Sequence, residues 1–253
     1  MFIKICERNT VMRSRVSIKK NVKKYLSYES LEETEPLRTI LSEHCYQSLP
    51  TCPPYEGDFL YHIAAKGGAQ SALEIGFATG STAIYMLAGM NGTNGQLISI
   101  DYRQKEHYGN LGCRTVRDAG FASRHILIED NANIAVPDLF QKGNRFDLIY
   151  VDAGKVFDFM AVILYYTTRM LQCNGVLVFD DTRMPSIHKV IALLLSHYAY
   201  EEVDYTLYGE DMRVRLWYLL TTRSLRRPFR AFKKLKPEEE LPVSTDFTFW
   251  KRF

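Results

Sequence analysis

The chain has 253 residues, 46% of them hydrophobic and 24% charged, which excludes a disordered, collagenous or coiled-coil protein and suits one globular core with appendages. A net charge of +3 is too mild by itself to argue for nucleic acid, and the longest apolar runs, such as Val190 to Leu195, fall far short of the roughly 20 residues of a membrane span. Cys6, Cys45, Cys52, Cys113 and Cys173 are scattered and form no metal-binding cluster. They read as free thiols, and with no secretory apolar segment at the N-terminus the expected compartment is the cytoplasm.

Residues 1–50 read as a basic N-terminal arm and a helical cap. A cationic run from Arg13 to Lys24 is followed by an acid-rich helical stretch, with Ser30 as its N-cap and Leu37, Ile40 and Leu41 at helical spacing. Residues 51–253 read as the main domain. From Gly57 onward, short aliphatic runs alternate with longer helical patterns, the signature of βαβ units and a parallel sheet. The strands are expected at 71–75, 96–101, 125–129, 146–152 and 175–181, each closed by an acid or a glycine turn. Their nearly continuous apolar character is that of strands buried on both faces. Phe157, Met160, Ala161, Leu164 and Tyr165 mark one crossover helix, and a later helix is expected from Ile187 to Tyr198. Two aromatic-rich runs, 203–209 and 247–253, complete the count. The second is suited to an antiparallel strand at or next to the sheet edge.

From Arg213 to Lys236 the chain carries nine positive charges without an acid, so the remainder carries −6 against the net of +3. This segment reads as a basic insertion at about 211–240. Within it Leu225, Phe229, Phe232 and Leu235 lie on a helical stripe. A basic amphipathic helix of this kind packs on its own domain or meets an anionic membrane or acidic partner. No nucleic acid is expected, and an oligomer is left open.

The segment 72–82 places Gly76 and Gly80 where the first strand turns into a helix, so that backbone N–H groups can approach a ligand closely. A dinucleotide fingerprint beginning at Gly76 needs glycine at 78 and glycine or alanine at 81; the chain has Ala78 and Ser81. Asp101 ends the second strand, 25 residues beyond Gly76, where a carboxylate can accept from both hydroxyls of a ribose. At the same sheet edge Asp152, Asp180 and Asp181 converge. Three carboxylates so placed repel one another unless protonated or neutralised, and an all-oxygen set selects a hard divalent ion.

Glu74, Gly76 and Gly80, with Ala78 between them, resemble motif I of the class I S-adenosylmethionine (SAM) methyltransferases. The runs VDAGK (151–155) and NGVLVFDDT (174–182) resemble the metal-dependent O-methyltransferases of the catechol and caffeoyl-CoA type, and the Asp180–Asp181 pair resembles the related sugar and antibiotic branch. The likeness covers roughly residues 50–200. It implies a Rossmann-like, doubly wound, mostly parallel seven-stranded α/β sheet with an antiparallel strand near its edge. It further implies SAM held by Glu74, Gly76, Phe77, Ala78, Gly80, Ser81, Thr82, Asp101, Tyr102, Asp130, Asn131, Ala132 and Asp152. A divalent metal, Mg²⁺ as the expected ion, falls to Asp152, Asp180 and Asp181, and catalysis to Lys155 as general base with Asp152. The acceptor is expected to be a small hydroxylated molecule, phenolic or sugar-like. Two other classes compete: a SAM-binding interaction module without catalysis, and a nicotinamide oxidoreductase on the same kind of sheet.

Overall fold

The computed structural model describes residues 30–43, 49–204 and 227–237, together with Leu216 and Leu220. The basic run from Arg13 to Lys24, the aromatic segment 247–253 and most of the run 203–209 lie outside the described residues. The strands are β1 (Ser71–Ile75), β2 (Gln96–Ile100), β3 (His125–Ile128), β4 (Phe146–Val151), β5 (Leu171–Phe179), β6 (Tyr200–Glu202) and β7 (Arg230–Lys234). They form one sheet in the order β3-β2-β1-β4-β5-β7-β6. The first five run parallel, and β7 is antiparallel to both of its neighbours.

The helices described are α1 (Glu35–Glu43), α2 (Pro54–Lys66), α3 (Ser81–Gly89), α4 (Gln104–Tyr108), α5 (Leu111–Asp118), α6 (Ala132–Gln141), α7 (Phe157–Met170) and α8 (Pro185–His197). Alternation along each strand divides the core in two. Leu73, Ile75, Ile149 and Leu177 face the side covered by α6, α7 and α8. Ala72, Leu148, Tyr150 and Val178 face the side that holds α2 and α3. Both faces are covered, as the continuous apolar strands require.

Three expectations are corrected. Ser30 does not cap the first helical turn; the backbone N–H of Leu31 instead donates to Asp58 Oδ2 at 2.8 Å. Asp58 is buried on α2, and it also accepts from the Thr34 hydroxyl and faces Arg38 at 3.4 Å. A residue 27 positions away thus does what a local cap would do. The expected helix over 224–236 holds no helix in its described part, 227–236, which instead contains the strand β7. Phe229 and Ala231 enter one core and Phe232 the other, so the apparent helical stripe is a two-sided strand. Among the described residues β7 is the antiparallel strand near the edge; the expectation for 247–253 lies outside them. Its Lys234 is buried, with Nζ donating to the carbonyls of Thr168 and Leu171 at 2.8 Å each. These are orphan acceptors at the end of α7. Lastly, β5 begins at Leu171, earlier than expected, because its pairing with β4 shifts register between Phe146 and Leu148 and Asn174 takes φ +66°. Among the described residues no helix is long and apolar enough to cross a membrane.

Candidate active site

Register places the functional edge. Ile75 pairs with Ile100 and Val151, and Val151 with Phe179. The next residues, Gly76, Asp101, Asp152 and Asp180, therefore emerge side by side. Each is stitched to a neighbouring strand by one more backbone bond: Gly76 to Ile100, Asp101 to Ile128, Asp152 to Ile75 and Asp180 to Val151, at 2.8–3.1 Å. Gly76 has φ +101°, and a Cβ there would lie 2.5 Å from the Asp152 carbonyl oxygen. Only glycine lets the two strand ends approach so closely.

A cavity of about 340 Å³ opens over this edge, lined by Gly76, Ala78, Ile100, Asp101, Tyr102, Tyr108, Asp130, Asn131, Ala132, Asp152, Ala153, Gly154 and Phe159. Asp101 Oδ2 accepts from the backbone N–H groups of Phe77 (3.2 Å) and Ala78 (2.7 Å), while Oδ1 accepts from Arg103 N–H. The same carboxylate that faces the cavity therefore holds the glycine turn. Asn131 caps α6 by accepting from Asn133 N–H at 2.9 Å. Tyr108, Ala153, Gly154 and Phe159 were not foreseen. Gly154, with φ +54°, lets the Phe159 ring fold over the turn; the glycine was the available signal.

Glu74, Phe77, Gly80, Ser81 and Thr82, also expected at the cofactor, are buried and are not among the residues lining this cavity. The Glu74 carboxyl is buried and accepts from the Thr82 hydroxyl and from Ser99 Oγ at 2.6 Å. Burial, with Asp152 and Asp101 adding repulsion against the hydroxyl hydrogen bonds, pushes its pKa up to about 8. Phe77 is buried and stacks on His125 at 4.7 Å between centroids. Gly80 takes φ +74° to start α3, and Ser81 Oγ accepts from Cys52 N–H at 2.9 Å. These residues shape the turn from beneath.

At the far end of the cavity Asp152, Asp180 and Asp181 each offer a carboxylate oxygen within 4.8 Å of the others. Lys155 Nζ lies 2.5 Å from Asp152 Oδ1 and 2.9 Å from Asp181 Oδ2. Burial first, then Asp152 and Asp181, push the Asp180 pKa up to about 8. Repulsion is thus relieved as the sequence demands, by a retained proton and by an ammonium. For Lys155 burial opposes the charge, but Asp152, Asp180 and Asp181 outweigh it and raise the pKa. Beneath the trio, the Tyr150 hydroxyl donates to buried Glu56 at 3.1 Å; burial, then Asp180 and Asp152, hold that carboxyl well above its usual range.

Residues 73–182 match the family described as Methyltransferase domain (Methyltransf_24). The chain is 28% identical over 151 residues to "Tricin synthase 2" of Oryza sativa subsp. japonica, covering 58% of this chain and 49% of that protein. It is 30% identical over 103 residues to "Catechol O-methyltransferase" of Niastella koreensis, covering 40% and 45%. It thus spans about half the length of these relatives. Among solved structures it resembles the O-methyltransferase from Bacillus cereus in complex with SAH, with TM-score 0.62, 16% identity, and 79% and 90% of the two chains covered. It also resembles TomG from Streptomyces achromogenes in complex with SAM, with TM-score 0.59, 16% identity, and 92% and 100% covered. Residues 73–182 thus match a methyltransferase domain, and the chain shares its fold with O-methyltransferases solved with SAM or SAH.

Proposed function

We propose that the protein transfers a methyl group from SAM to a hydroxyl oxygen of a small molecule, with a divalent ion held by Asp152, Asp180 and Asp181. The observation that carries this reading is the shared edge: the cavity that suits the nucleoside and the acidic trio both include Asp152. Gly76 and Ala78 offer backbone approach to the cofactor, Asp101 a ribose acceptor, and Tyr102 and Asp130 to Ala132 the walls for the base. Glu74, Phe77, Gly80, Ser81 and Thr82 keep that cradle in shape.

The trio suits a hard cation. It is all oxygen, and its atoms lie within one ion's span. When bound, a divalent ion supplies the Lewis acid that favours ionisation of the acceptor hydroxyl. Lys155 is placed to take the proton. Its two carboxylate partners now hold it as an ammonium; with those carboxylates engaged elsewhere, burial becomes the dominant influence and lowers its proton affinity. The protein's contribution is then alignment of the acceptor oxygen with the methyl carbon and a proton acceptor beside it. Calorimetric titration of the purified protein with SAM and separately with NAD tests the reading. SAM binding is expected, and binding of NAD alone would replace it with the oxidoreductase alternative.

A further inference from the structure

Strand order sets the direction in which the cofactor lies. With the base at Asp130 to Ala132 beyond β3 and the ribose at Asp101 beyond β2, the amino-acid end of SAM arrives past Gly76 of the β1 turn and Asp152 beyond β4. On the α2 side of that point stands Glu56, in the first turn of α2 and only 3% exposed. Its Oε1 accepts at 3.1 Å from the hydroxyl of Tyr150, which lies on β4 two residues before Asp152. Its Oε2 accepts no hydrogen bond from the described residues, and it is not among the unpaired polar atoms sealed from solvent, so it borders open space. We propose that Glu56 anchors the α-ammonium of SAM's methionyl end on this free oxygen. The inference rests on the SAM reading above and assigns the part of the cofactor which that reading leaves without a partner.

The other carboxylates at this edge are already committed. Glu74 accepts from Thr82 and Ser99 on its two oxygens, and both oxygens of Asp101 take backbone N–H groups. Asp152, Asp180 and Asp181 converge as the cation set. Packing holds Glu56 in place as well. A Cβ on the adjacent Gly57 would stand 2.4 Å from the Tyr85 ring, so α2 lies tight against α3. Just before α2 the chain is tied to the glycine turn, with the Thr79 hydroxyl donating to the Pro50 carbonyl and the Cys52 N–H to Ser81 Oγ, each at 2.9 Å. The chain from 50 to 56 is therefore pinned to the cofactor turn at one end and to β4 at the other.

Charge selects the ammonium over the other cationic centre of SAM. A buried carboxylate near Asp152 and Asp180 is costly to ionise alone, and an ammonium brings both a countercharge and N–H donors. The sulfonium has no N–H, and its charge disappears as the methyl group leaves. A carboxylate against it would stabilise the bound cofactor more than the transition state. The ammonium keeps its charge throughout, so anchoring it carries no such cost.

The test is calorimetric titration of the full-length protein at pH 7 with SAH and with its analogue lacking the α-amino group. Wild type is expected to bind SAH about tenfold more tightly than the analogue, or better. Glu56→Gln keeps the side chain's size and an acceptor for Tyr150; it should weaken SAH by about tenfold and leave the analogue within about twofold, erasing the preference. Tyr150→Phe, which removes the donor that orients the carboxyl, should reduce the preference by about threefold. Equal binding of the two ligands by wild type would overturn the inference. So would a preference that survives Glu56→Gln or, should that variant not fold, survives Tyr150→Phe. Equal weakening of both ligands by Glu56→Gln would also overturn it, as the mark of a purely structural role. Failure of the wild-type protein to bind either SAM or SAH would instead overturn the reading on which it rests.

Discussion

Replacing Glu74 with glutamine makes a quantitative test of how the cofactor turn is built. The carboxyl, carried by β1, is wholly buried and bonded to Thr82 and Ser99, and its pKa is pushed up to about 8 from an ordinary 4.5. A carboxyl raised in this way binds its proton more tightly folded than unfolded. The stability it contributes is fully present below pH 4.5 and is lost as pH rises towards 8. At 1.36 kcal/mol per pKa unit the loss across that window is about 5 kcal/mol at most. Glutamine keeps an acceptor and has nothing to ionise. Urea unfolding of wild type and Glu74→Gln between pH 5 and 9, at constant m-value, should show the variant's advantage growing with pH by several kcal/mol. Parallel pH profiles would refute the reasoning and mean that Glu74 ionises normally or not at all in this range.

Lys234→Met should cost about 2–4 kcal/mol in the same unfolding assay, because the carbonyls of Thr168 and Leu171 lose a charged donor in a buried place. Ala78→Gly should stabilise by up to about 1 kcal/mol, since alanine there holds φ +45°, a region glycine occupies without a Cβ penalty; a lower melting temperature would count against that strain. Gly76→Val should weaken SAM binding measured by calorimetry by tenfold or more, because its Cβ alone would stand 2.5 Å from the Asp152 carbonyl.

The sheet was legible where strands are buried on both faces. Apolar runs closed by Gly76, Asp101, Asp152 and Asp180 place the strand ends to within two residues of the observed ones, and with them the acidic trio. What was not legible depends on tertiary partners. RAFKK reads as the face of a basic helix because lysine is ordinarily a surface residue; Lys234 enters the interior only because two helix-end carbonyls await it. The cap on the first helical turn was misplaced to Ser30 for the same reason, since Asp58 serves it from another helix. Glu74 looks like a ligand group in the motif, yet its carboxyl is buried against the hydroxyls of Thr82 and Ser99. Tyr108 and Phe159 reach the cavity through the bends at Gly109 and Gly154, whose positive φ angles carry no periodic signal.

The measurement that meets the central claim most directly is the rate of SAH formation with and without Mg²⁺, in wild type and in Asp180→Asn, alongside SAM affinity in each. Excess chelator should abolish turnover in wild type and added Mg²⁺ restore it. Asp180→Asn should lose at least a hundredfold in kcat while SAM affinity stays within about threefold, because Asp180 lies off the nucleoside cavity and within the trio. Full turnover in chelator, or an unchanged rate for Asp180→Asn, would contradict the metal-assisted account and leave a methyltransferase that works by alignment alone.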